Sequence, residues 1–143
     1  MPEIDAYSYH LGAADCFCEM VRAGVKRIAL SHPCDSKAMR DGFLPDFEGL
    51  CKKYGVRFYV ENEPFLTDLF PVSLNRGKYN VIFYQDDSAL MEYLALKNEK
   101  AEAVSDGSYP EKREKIAQKY GKLLSYTDAG IDRLLAANTE KEP

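Results

Sequence analysis

The chain has 143 residues, 45% of them hydrophobic and 29% charged, with a net charge of −4, a balance that fits one globular domain and excludes a disordered chain. No run approaches the roughly 20 apolar residues that span a bilayer, and Met1-Pro2-Glu3-Ile4-Asp5 has neither the basic nor the apolar region of a secretory signal. Lysines and arginines are dispersed among acids, so the expectation is a cytoplasmic protein with no membrane and no nucleic-acid partner.

Apolar residues at Tyr7, Leu11, Ala14, Cys18 and Val21 mark one face of a first helix, closed by Gly24. Val25–Leu30 reads as a strand. The loop Ser31-His32-Pro33-Cys34-Asp35-Ser36 leads into a short helix through Arg40, and Gly42 and Pro45 interrupt it. A second helix runs from Pro45 to Tyr54 and ends at Gly55. Val56–Val60 is the next strand, and Pro64 forces the chain out of it. One helical turn is expected at Phe65–Phe70, and Tyr79–Tyr84 is the third strand. Asp86 and Asp87 suit the positive end of a following helix; whether 98–104 continues that helix or forms a fourth strand is open. Helices at Pro110–Tyr120, closed by Gly121, and at Asp128–Ala137, capped by Thr127, complete the pattern.

Strands alternating with helices imply an α/β fold. The expectation is a small three-layer sandwich with a mainly parallel sheet of three or four strands and extra helices at the C-terminus. Residues 1–137 make one domain, and 138–143 form a flexible tail.

In an open parallel sheet, ligands bind beyond the carboxyl ends of the strands. Those ends carry residues 31–36, Glu61-Asn62-Glu63 and Gln85-Asp86-Asp87-Ser88. Cys34, between a strand and a helix start, is a candidate nucleophile with His32 as its base. Ser36, Arg40, Glu61 and Asp86 are candidate ligand contacts. Cys34 and Arg40 share the C-x5-R spacing of cysteine-dependent phosphatases. The loop departs from that pattern in having no glycine and in placing Pro33 between His32 and Cys34.

No metal site is expected. Cys16 and Cys18 point about 200° apart on a helix and cannot grip one ion. Asp35, Glu61, Glu63, Asp86 and Asp87 could gather a hard cation only if they converged at one edge. His10 lies at the border of the first helix's apolar face. Dinucleotide, P-loop and serine-esterase fingerprints are absent, and no cofactor is implied.

Near the C-terminus, Gly121, Leu123, Leu124, Tyr126 and Ile131 resemble the motif G-x-L-L-G-Y-P-x-C-C-[IV] of an uncharacterised prokaryotic family. Ser125, Thr127 and Ala129-Gly130 depart from it. The resemblance covers about a tenth of the chain and implies no activity. Two functions follow from the residues: a binding or enzymatic site for a small ligand, such as an anion, at the strand ends, or an interaction or regulatory module without catalysis. A homo-oligomer is compatible with either.

Overall fold

The computed structural model describes residues 1–143. In chain order the elements are α1 (Ala6–Arg22), β1 (Ile28–Leu30), α2 (Lys37–Tyr54), β2 (Arg57–Glu61), α3 (Val72–Asn75), β3 (Asn80–Tyr84), α4 (Asp87–Asp106), α5 (Tyr109–Leu123) and α6 (Asp128–Ala137). The strands form one sheet in the order β1-β3-β2.

Both pairings are antiparallel: Leu30 lies opposite Ile82, and Glu61 opposite Asn80. The expected parallel sheet is therefore not formed, and no fourth strand joins it. The connections explain why. Helix α2 has 18 residues, about 27 Å of rise, enough to carry the chain back so that β2 runs in the same direction as β1. Residues 62–79 contain Pro64, Pro71 and a helix of only four residues. With no long helix to return it, the chain re-enters the sheet at the end it left, and β3 slots antiparallel between the other two.

Helices cover both sheet faces. Ala29, Val81 and Phe83 face α1 and α2 in a cluster with Cys18, Phe43 and Phe47. Ile28, Ile82 and Tyr84 face the other way, toward Tyr93, Leu96, Ile116, Tyr120 and Ile131 of α4, α5 and α6. The segment 98–104 is helical, and α4 runs on to Asp106 before Gly107 stops it in the left-handed conformation (φ 80°).

Two expected breaks are absent. Pro45 lies inside α2 rather than at the start of a new helix. Phe43 and Phe47, four residues apart, bury one face of the helix there, which outweighs the hydrogen bond that proline cannot donate. Tyr7 reinforces the site by donating its hydroxyl to Gly42 O at 3.4 Å and to the Asp46 carboxylate. Gly121 likewise does not end α5, which continues to Leu123. A Cβ at Gly121 would stand 2.5 Å from Ile131 Cγ1, so its role is to let α6 approach α5. The left-handed stop falls instead on Ser125 (φ 69°).

Residues 138–143, expected to fray, lie along the 66–73 segment. Asn138 Nδ2 donates to Asp68 O at 2.9 Å and Phe70 O at 3.2 Å. Val72 N–H donates to Glu140 O, and Lys100 pairs with the Glu142 carboxylate at 2.7 Å.

Candidate functional site

Because β3 runs against its neighbours, its carboxyl end is at the opposite end of the sheet from those of β1 and β2. The six residues singled out in the sequence therefore divide. His32, Cys34, Ser36, Arg40 and Glu61 gather where β1 and β2 finish. Asp86 sits at the far end as the residue before α4, near Arg57, which pairs with Asp87 at 2.8 Å.

At the first end, most of the polar capacity is spent on the fold. Arg40 is only 1% exposed. Its Nη1 donates to Glu61 O at 3.0 Å and Asn80 O at 3.1 Å, its Nη2 to Asn62 Oδ1 and its Nε to Asp41. The guanidinium thus ties off the carbonyls where β2 ends and β3 begins. Glu61 is equally buried. Its carboxylate accepts from Tyr93 Oη at 2.7 Å, Lys97 Nζ at 2.8 Å and the Glu63 N–H at 3.0 Å, which anchors β2 to α4. Ser36 caps α2 by accepting from Met39 N–H.

Cys34 bridges Tyr79 through both main-chain groups. Its thiol is buried, and burial pushes its pKa up, away from a thiolate. Unlike the glycine-rich loops that wrap a phosphate, this segment is pinned to the neighbouring chain.

His32 has a partner that the sequence did not suggest. Its ring stacks on that of His10, from α1, with centroids 3.5 Å apart and planes within 12°. These are the only two histidines in the chain. Burial holds His32 below the usual histidine range; His10 and Lys78 push the same way and Asp35 opposes them. Asp35 pairs with Lys78 beside the rings. Two rings stacked face to face cannot both aim a lone pair at one ion, and no group of three or more metal-ligating side chains forms anywhere.

The main concavity lies on the helical layer instead. A groove of about 860 Å³ runs between α4, α5 and α6. Its floor is Leu96, Leu123 and Ile131; Lys115, Lys119 and Lys122 form one wall, and Glu92, Glu99, Asp128 and Asp132 stand around it. Lys119 pairs with Glu99, Lys122 with Asp128, and Glu92 with Arg27. Lys115 and Asp132 enter no ion pair. The signal for this groove was present in the sequence: lysines at 115, 119 and 122 fall on one stripe of a helix. What hid it is that the opposing walls come from two other helices.

No protein-family model matches the chain, and comparison with curated proteins and with solved structures yields no match either. No helix is long and apolar enough to cross a membrane.

Proposed function

We propose that the protein binds a small ampholytic ligand, one with a short apolar body and charges of both signs, in the groove between α4, α5 and α6. The observation that carries this reading is the groove's construction. Its volume of about 860 Å³ is of ligand size, and its apolar floor lies between a lysine wall and carboxylates. Lys115 and Asp132 are the charges left to meet a ligand's carboxylate and amine.

The test is ligand-observed NMR with a set of dipeptides and amino-acid derivatives, followed by amide-shift mapping on the labelled protein. Binding should move Ala95, Leu96, Lys119, Leu123 and Ile131. Ala95 is exposed on the groove wall, so Ala95→Trp should block the site and abolish those shifts. Shifts centred elsewhere, or binding that survives the tryptophan, reject the reading.

The stacked histidines favour a second reading, an anion site at the end of β1 formed by His32, Ser36 and the start of α2. Titration of the imidazole resonances with inorganic phosphate distinguishes the two. A phosphate-dependent rise in the pKa of His32 supports the anion site, and an unchanged titration removes it.

A further inference from the structure

The sheet stops at β2 with nothing paired to its outer side. Ser31 N–H donates to Val81 O, so Val81, and by alternation Phe83, turn their main-chain groups toward β1. Asn80, Ile82 and Tyr84 then turn theirs toward β2, where they meet Glu61, Tyr59 and Arg57. Phe58 and Val60 are left facing outward with two N–H and two C=O groups, and β2 has no second strand to receive them. Phe58, Tyr59 and Val60 are only half-buried, whereas every residue of β3 is buried.

Edge strands are ordinarily guarded by lysine, proline, a bulge or an inward charge. The sequence Arg57-Phe58-Tyr59-Val60-Glu61 has neither lysine nor proline, and its paired register runs without interruption. Both of its charges are drawn away from the edge. Arg57 is held by Asp87 and by Gln85 O at 3.0 Å, and Glu61 is held by Tyr93 and Lys97.

We propose that β2 pairs antiparallel with β2 of a second copy of this chain, about a two-fold axis through Tyr59. In that register Phe58 faces Val60 of the second copy, and the two such pairs exchange four hydrogen bonds. The aromatic and aliphatic side chains of the edge then cover one another. Charge sets the direction. Lys52, at the end of α2, lies ahead of the strand and Glu63 just beyond it, and both are exposed. Antiparallel pairing brings the basic end of one copy to the acidic end of the other, whereas parallel pairing sets like against like. The contact is isologous and closes on itself as a dimer.

An edge of five residues buries well below the ~1,200 Å² of a standard interface, so the dimer dissociates on dilution. Sedimentation equilibrium from about 10 μM to about 1 mM should show a monomer–dimer equilibrium in this weak range. Val60→Pro removes an outward N–H that the β2–β3 ladder does not use. It deletes two of the four bonds and should raise the dissociation constant at least about 30-fold. Amide exchange on the unaltered protein provides a second measurement, independent of whether the proline variant folds: the Phe58 and Val60 amides should exchange freely when dilute and slow as concentration rises. A monomer throughout overturns the proposal. So does an association that Val60→Pro leaves intact, or one in which those two amides stay fast.

Discussion

On the α1–α2 side of the sheet, rings pack on rings. Tyr7 stacks on Phe43 at 4.4 Å, Phe43 on Phe47 at 5.4 Å, and Phe47 meets Phe83 edge-on at 5.2 Å. The thiols of Cys18 and Cys51 face each other nearby, and their contact, together with burial, pushes Cys18 far above the ordinary thiol range. On the α4–α6 side the rings are mostly tyrosines, and their hydroxyls need partners. Tyr93 donates to Glu61, and burial, followed by its Tyr120 and Glu61 neighbours, pushes its pKa up. Asp68 holds Arg113 through two bonds at 2.8 and 2.9 Å. The first side is specified by volume, and the second by a set of paired polar groups together with one very close helix contact. All three features that reach outward on the second side, the groove, the Glu61 anchor and the docked C-terminus, depend on that more exacting construction.

The largest test of the comparison is Phe47→Ala. Removing a ring that touches Phe43, Phe58 and Phe83 should cost about 3–5 kcal/mol, read as a lower urea midpoint with an unchanged slope. A loss below about 1 kcal/mol would mean that this face repacks freely and is not specified by volume. Gly121→Ala comes next. The added methyl meets Ile131 at 2.5 Å and should destabilise by about 1–3 kcal/mol. In an Ile131→Ala background, which lacks the Cγ1 and Cδ1 atoms in the way, the same change should cost less, and strict additivity would show that the α5–α6 contact is not what makes glycine necessary.

The smallest effect is pH-dependent. Burial lowers the pKa of His32 in the folded protein, so below about 6.5 the unfolded chain binds more protons than the native one. Stability should therefore decline as pH falls from about 6.5 through the folded value, and His32→Gln should flatten that decline. Urea midpoints measured across this range decide it; an equally steep profile in the variant removes His32 as the cause.

The positions of the strands and of the long helices were legible because apolar spacing records which face is buried. Strand direction was not, since Val56–Val60 and Tyr79–Tyr84 have the same composition whichever way they run. The informative feature was negative: residues 62–79 lack a helix long enough for a crossover. Gly121 was read as a stop because a helix-ending glycine and a helix-packing glycine look identical without the neighbour, here Ile131. Arg40 looked like a ligand contact, and only its complete burial reveals it as a tie between strand ends. The His10–His32 stack joins residues 22 positions apart on different elements, a distance no local pattern spans. Ser125 could not be foreseen as a left-handed residue, although its main-chain setting suits glycine better than serine.

The strand order β1-β3-β2 has a consequence for synthesis on the ribosome. The middle strand is the last of the three to be made, and β1 and β2 never touch each other in the sheet. Until residue 84 has emerged, the first two strands have no partner, and the aromatic faces of α1 and α2 lack the Val81 and Phe83 surface they cover. The nascent chain thus carries an unpaired β2, with no lysine or proline to protect it, for the whole time that 62–84 is being added. The edge that pairs two finished copies is the same segment that is most open to wrong pairing before the chain is complete.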